Sequence, residues 1–200
     1  MILWDMNSDK NTLMAVRGDD WNQQMRMAMV RAGTDPVKVR KVFWDAGADP
    51  LELQLMRERK RTVETQRQVI PDVLLYYTMQ VLSSRGRALA KKLGSADDDF
   101  WPCRFGINPG EAFFLVLPNR TFDIVDAEKS LFSRVLPLDP PLPLEIGTLA
   151  FNRPPQGLPP LFHTKIPNTR VFFCDLLVRD DFKVAWEQAK FTGASFRRLC

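Results

Sequence analysis

The sequence predicts an α+β fold: a mixed, largely antiparallel sheet with helices packed on it, two similar strand–helix–strand units and a long proline-rich loop. Three observations predict it. Apolar and polar residues alternate along Leu51-Glu52-Leu53-Gln54-Leu55, the period-two pattern of a half-buried strand. Two stretches, 83–93 and 180–192, carry apolar residues at helical spacing behind polar caps. Eight of the 15 prolines lie between Pro137 and Pro160, with Pro-Pro three times. Proline lacks an amide donor, so that segment is excluded from helix interiors and central strands and reads as a surface loop. With 200 residues, 45% hydrophobic and 26% charged, the composition is globular. At this length roughly 70% of the unfolded surface is buried on folding, enough for a real core.

From the start of the chain, Trp21, Met25, Ala28, Met29 and Ala32 follow helical spacing up to Gly33. Asp35-Pro36 resembles an N-cap with proline at the first helical position, opening a stripe of Val39, Val42, Phe43 and Ala46, although Val37–Phe43 is β-branched enough for a strand. The Leu51 strand comes next, then a charged loop or exposed edge from Arg57, then apolar runs at Val73–Tyr77 and Met79–Leu82. Ser83 or Ser84 caps a helix whose Ala88, Leu89 and Leu93 face inward and which Gly94 stops. Strands follow at Phe100–Phe105 and Ala112–Leu117, with Thr121–Val125 expected to pair with the latter across Pro118-Asn119-Arg120. Beyond the proline-rich stretch, Val171-Phe172-Phe173-Cys174 reads as a strand. Asp180 or Asp181 caps a helix with the face Phe182, Ala185, Trp186 and Ala189, Gly193 ends it, and Ala194–Leu199 supplies a last strand.

The two best-defined segments echo each other. At an offset of 96 residues Leu82 aligns with Val178, Leu89 with Ala185, Leu93 with Ala189 and Phe100 with Phe196. The expectation is that Leu82–Phe105 and Phe173–Leu199 each form a strand–helix–strand unit on a shared sheet.

Several functional classes are excluded or disfavoured. No apolar run approaches the roughly 18 residues of a membrane span. The opening Met1-Ile2-Leu3-Trp4-Asp5-Met6 lacks the basic head and apolar stretch of a secretory signal, so the expected location is cytoplasmic. Cys103, Cys174 and Cys200 are odd in number and lack C-x-x-C spacing, suggesting neither a disulfide framework nor a zinc knuckle. His163 is the single histidine, and no G-x-S-x-G, phosphate-binding glycine loop or EF-hand spacing occurs. Asp123, Asp126 and Glu128 stand without such a framework, and Asp97–Asp99 reads as a solvated turn. The expected catalytic, cofactor and metal inventory is therefore empty. Of the formal charge of +4, most comes from Arg57–Arg67, where five basic residues face two acidic ones and no aromatic is interleaved for base stacking.

Four stretches carry a family likeness. The first is Ile70-Pro71-Asp72 leading to Val81-Leu82-Ser83-Ser84-Arg85. The second is Phe100-Trp101-Pro102-Cys103, and the third is Phe122–Ser130, with an aspartate at Asp126 followed four residues on by Ser130. The fourth is Leu177–Leu199, closing on Phe191-Thr192-Gly193-Ala194-Ser195-Phe196. In order and spacing they resemble an immunity-protein family of bacterial polymorphic toxin systems, the eleventh in the usual naming. Gly86 departs from it, standing where the family has a bulky residue on the first helix. The resemblance divides the chain into an N-terminal extension, 1–69, and an immunity-protein-like α+β domain, 70–200, or one continuous domain. It implies a protein that binds and neutralises a cognate toxin encoded nearby, with no catalysis, no cofactor, no membrane and no nucleic acid. Asp126 and Ser130 also fit a plain turn or cap arrangement.

The residues expected to touch a partner are Phe151 and Phe162 beside the proline-rich loop, and Arg57, Arg59, Lys60 and Arg61 in the basic stretch. Two other readings compete. One is a nucleic-acid-binding or regulatory protein using 57–67, and the other is an enzyme pairing Cys103 or Cys174 with His163.

Overall fold

The computed structural model describes residues 2–8, 13–16, 38, 41, 50–57, 62–63, 69–76, 79–117, 121–136, 142–152, 157–165 and 176–200. Apart from Lys38 and Lys41, residues 21–46 lie outside this set, as do 58–61 and 171–174 with the readings made there. The fold is α+β and β-rich, with two helices and mixed, largely antiparallel sheets among the described residues.

Seven strands form the first sheet: β2 (Leu13–Val16), β3 (Leu51–Arg57), β4 (Thr62–Val63), β5 (Val73–Tyr76), β6 (Met79–Ser83), β7 (Phe100–Phe105) and β8 (Phe113–Val116). Their order is β2-β5-β6-β8-β7-β3-β4, and β2 also pairs with β3, which curls the sheet back on itself. The expected alternation holds in β3, where Leu51, Leu53 and Leu55 are buried and Glu52 and Gln54 exposed. Inside this curl lies a core of Leu51, Leu55, Leu74, Tyr76, Val81, Cys103, Phe105, Phe113 and Leu115.

The second sheet has the order β14-β1-β13-β12-β9, from β1 (Leu3–Ser8), β9 (Thr121–Phe122), β12 (Leu161–Thr164), β13 (Leu176–Arg179) and β14 (Ala194–Arg198). Leu3, Val125, Leu149, Leu158, Phe162, Leu177 and Leu199 fill a core on one side of it. Strands from residues below 70 therefore enter both sheets and pair there with strands of the 70–200 segment: β1 with β13 and β14, β3 with β7. A third, two-stranded ribbon joins β10 (Leu131–Leu136) to β11 (Leu142–Thr148). Part of the expected proline-rich loop is thus a strand. Pro143 sits opposite Val135 in this ribbon, and the register shifts at three places. A two-stranded ribbon leaves each strand an outer edge, where a missing donor is tolerated.

Helix α1 (Ser84–Lys92) follows β6 directly, and Ser83 is its N-cap, accepting the Gly86 N–H at 3.2 Å. Lys91 and Lys92 complement the carbonyl end, and Gly94 takes the left-handed turn at φ +112°. Its buried stripe is Gly86 and Ala90, with Leu89 and Leu93 half-buried. Ala88, expected inward, is exposed, since two residues turn a helix about 200° away from Gly86.

Helix α2 (Asp180–Gln188) follows β13 in the same way and buries Phe182 and Trp186. Arg179, not an aspartate, is its N-cap, and no side chain makes a cap hydrogen bond. Asp180 and Asp181 occupy the first turn instead, where the helix dipole favours them. The left-handed residue past this helix is Lys190 at φ +55°, not Gly193. Gly193 lies further on at φ +86°, where an added Cβ would meet Pro71 Cβ and the Val73 carbonyl at 2.6 Å.

Both strand–helix–strand units form, but on different sheets. Each is split: β8 lies between β6 and β7, and β1 between β13 and β14. The outer faces of the two sheets are covered by a common layer, where Met6, Val73, Leu82, Ala90, Phe100, Val116, Leu161, Val178, Phe182 and Trp186 pack together. The Thr121–Val125 segment does not pair with β8, whose two edges are already taken by β6 and β7; β9 runs parallel to β12 instead.

In this layer Gly86 leaves room for Trp186, whose Cζ3 would lie 3.1 Å from an added Cβ. Trp186→Ala is expected to cost about 3–5 kcal/mol in urea denaturation. Gly86→Leu should cost about 1–3 kcal/mol by overpacking, despite its better helix propensity. A stabilised Gly86→Leu protein would contradict this packing.

Candidate interaction surface

Cys103, on β7, is buried in the first core with its Sγ 3.5 Å from the Trp101 carbonyl. Burial pushes its thiol up to about 12, so no useful thiolate exists at neutral pH. His163, also buried, lies on β12 of the other sheet, opposite Thr121. The Cys103–His163 pairing is therefore spread over two sheets, and Cys174 lies outside the described residues. Among the described residues, no three His, Cys, Asp or Glu side chains are grouped to hold a metal ion. No described helix is long and apolar enough to cross a membrane.

Ser83, Arg85 and Thr192 converge on one carboxylate, that of Asp72. Asp72 is 3% exposed and begins β5 from the outside. It accepts hydrogen bonds from Ser83 Oγ at 2.7 Å, from Arg85 Nη2 at 2.8 Å and from the Thr192 backbone N–H at 3.0 Å. Its own carbonyl accepts the Ser83 N–H at 2.8 Å, and Val73 N–H reaches the Thr192 carbonyl at 3.3 Å. Gly193 is held against Pro71 at the same place. Pro71-Asp72, Ser83 and Thr192-Gly193 thus form a clamp between the two sheets, closed over by Arg85, whose guanidinium sits 4.8 Å from the Phe191 ring.

The Asp126 stretch is a second brace. Asp126 Oδ1 accepts the N–H groups of Glu128 and Lys129, and its backbone carbonyl accepts Ser130 N–H at 2.9 Å. Ser130 Oγ accepts Ala150 N–H at 2.9 Å and donates to the Ala150 carbonyl at 3.2 Å. A hydrogen bond from the Lys129 ammonium holds the Asp126 carboxyl below its ordinary range. This is the turn arrangement expected of an aspartate with serine four later.

The expected partner-binding residues are scattered. Phe162 is 0% exposed, packed edge-on against Phe122 with centroids 5.5 Å apart, and presents no surface to a partner. As the second residue of β12 it points into the core, a consequence of strand alternation that proline content did not reveal. Phe151 is half-buried against the same core and bridges Val125. Arg57 ends β3, opposite Leu13 and Thr62, and Arg59, Lys60 and Arg61 lie outside the described residues.

Two surface features were missed by sequence reasoning. One is the β10–β11 ribbon, which pairs with neither larger sheet and exposes Leu131 at 67%, beside the half-buried Phe132. Its signal was present in Leu131-Phe132 and in the alternation of Leu142, Leu144 and Ile146, but proline density masked it. The other is an open apolar hollow of about 320 Å³ lined by Pro50, Pro102, Pro109 and Phe114. Comparison of the sequence with protein-family models and with curated proteins finds no match.

Asp72→Ala should cost on the order of 3 kcal/mol, because the part-buried Thr192 N–H loses a charged acceptor. Arg85→Ala should cost under about 1 kcal/mol, since that side chain is 66% exposed. Equal losses in urea denaturation would contradict the clamp. For Cys103, alkylation at pH 8 should require unfolding, read by peptide mass mapping of native and denatured protein.

Proposed function

We propose that this protein is an immunity protein that binds a toxin encoded beside it and blocks that toxin by occlusion. The family likeness of the four stretches motivates the reading, and the β10–β11 ribbon is the observation that supplies a surface for it. Among the described residues the ribbon pairs with neither larger sheet; it is anchored by Phe132 on the second sheet's core, is braced at its base by Asp126 and Ser130, and exposes a large apolar side chain at Leu131. Binding residues concentrate on such insertions, which a rigid frame positions without depending on them. Neutralisation by occlusion needs about 800 Å² per partner with a few apolar or arginine anchors, and Leu131 is the anchor proposed here. The buried Cys103 thiol supports binding over nucleophilic chemistry.

The test is co-expression with the neighbouring toxin, scored by survival and co-purification. Wild type is expected to rescue the cells and to elute with the toxin. Leu131→Asp should weaken both by at least tenfold while leaving the thermal midpoint unchanged, because the side chain is exposed. Cells that die as readily with the wild type as without it, with no complex eluting, would overturn the assignment. Tight DNA binding at physiological salt, with affinity falling steeply as salt rises, would favour the competing use of the basic 57–67 stretch.

A further inference from the structure

The two sheets are built alike to the level of register. Read from one edge, the first sheet runs β7-β8-β6-β5-β2 and the second β14-β1-β13-β12-β9. In both, the first three contacts are antiparallel and the fourth parallel. Leu82 faces Phe114 and Val73, and 96 residues on, Val178 faces Trp4 and Leu161. Phe100 faces Val116, and Phe196 faces Met6. Leu75 pairs with Met14, and His163 with Thr121. Both helices keep the same offset at their first and last residues, Ser84 to Asp180 and Lys92 to Gln188. So do the left-handed residues Gly94 and Lys190. The N–H groups of Ser83 and Arg179, also at this offset, bond to the carbonyls of Asp72 and Pro160. Even a cation–π contact recurs: Arg87 lies 4.3 Å from the Phe114 ring, and Lys183 lies 4.5 Å from the Trp4 ring.

Strands β3 and β4, which extend and close the first sheet, have no counterpart in the second, and within the five matched strands one difference breaks the correspondence. In the first unit the strand between the two parallel ones, β8, follows β7 along the chain. In the second, the same position between β13 and β14 is filled by β1, from the opposite end of the chain. We infer that the protein is a tandem duplication of one β-rich unit, circularly permuted so that the closing strand of the second copy now stands first. The second unit is therefore a strand acceptor that β1 completes from a distance, through Leu3 and Met6, both fully buried, and through the Asp5–Arg197 ion pair at 2.8 Å. The two ends of this arrangement meet, since Leu199 N–H bonds to the Leu3 carbonyl at 3.0 Å.

The first unit supplies the length of the missing connection. Arg104 and Phe113 correspond to Cys200 and Leu3, and eight residues, 105–112, join them. Ile2 already fills one of these places, so a seven-residue linker from Cys200 to Ile2 should restore the original order. The experiment is a permuted full-length chain that begins at Asn11, runs through Cys200 and the linker, and ends with Ile2–Lys10. It is expected to unfold cooperatively, with near-UV circular dichroism like that of the native chain and a midpoint within about 5 °C of it. A second permutant with a linker of about 14 residues guards against strain in the join, since lengthening a loop costs little. Replacing Leu3 and Met6 with Asp should abolish cooperative unfolding in the native and permuted chains alike. Failure of both linkers to give a cooperative fold would overturn the inference. So would a permutant indifferent to the Leu3 and Met6 changes, because β1 would then not occupy its slot.

Discussion

The approach of Trp186 to Gly86 sets the distance between the two helices, and the rest of the structure is arranged around that distance. The first sheet curls around its own core and the second lays one face on another, but the outer face of each needs a partner. The helices supply it, each following the last residue of a strand and lying against the layer shared by both sheets. Trp186 fills this layer with Phe182 and Phe191 beside it, at centroid distances of 5.7 and 5.1 Å. An indole of that size fits between helices only where the facing position has no side chain, and Gly86 provides it. Dense packing of this kind tolerates neither added nor removed volume.

The polar clamp at Asp72 works with this layer. A buried carboxylate is costly unless its acceptor sites are used, and here they are filled from three directions: Ser83 at the start of α1, Arg85 in its first turn, and Thr192 before β14. The apolar layer brings the two units together without direction, and the directional hydrogen bonds at Asp72 select one alignment of β5 against the turn after α2. Asp72, Ser83, Arg85 and Thr192 are thus holding residues. Asp126 and Ser130 belong with them, tying the base of the ribbon to Ala150. A frame braced at such points leaves its inserted segments free to vary.

What was legible depended on the range of the interaction. Strand β3 was readable because Leu51, Leu53 and Leu55 keep a period of two, α1 because its Ser83 cap and its termination at Gly94 are local, and α2 because the spacing of Phe182 and Trp186 is local, although its cap, Arg179, was not. Within α1 the helical phase was misjudged at Ala88, since the choice between Gly86–Ala90 and Ala88 as the inward face depends on Trp186, nearly a hundred residues away. Gly193 was recognisable as special, but its reason, contact with Pro71 and Val73, is entirely long-range. Phe162 looked exposed because prolines precede it, whereas β12 turns it into a core. Strand β1 was not legible at all: Asp5 interrupts an apolar run and is acceptable there only because Arg197 pairs with it.

By itself, then, the sequence determined the class of the fold and the two helices with the strands that follow them, from spacing within short windows, and the repetition at an offset of 96 residues, from comparing two such windows. Only the tertiary structure decided that the repeated units lie on separate sheets, that β1 and β8 occupy matching positions, that the proline-rich stretch contributes a strand, and that Ser83, Arg85 and Thr192 meet at Asp72. The physical reason is that helix periods and caps are written in neighbouring residues. Strand partners, buried charges and the volume left at a glycine are set by residues far away in the chain, and they acquire meaning only when packing brings those residues together.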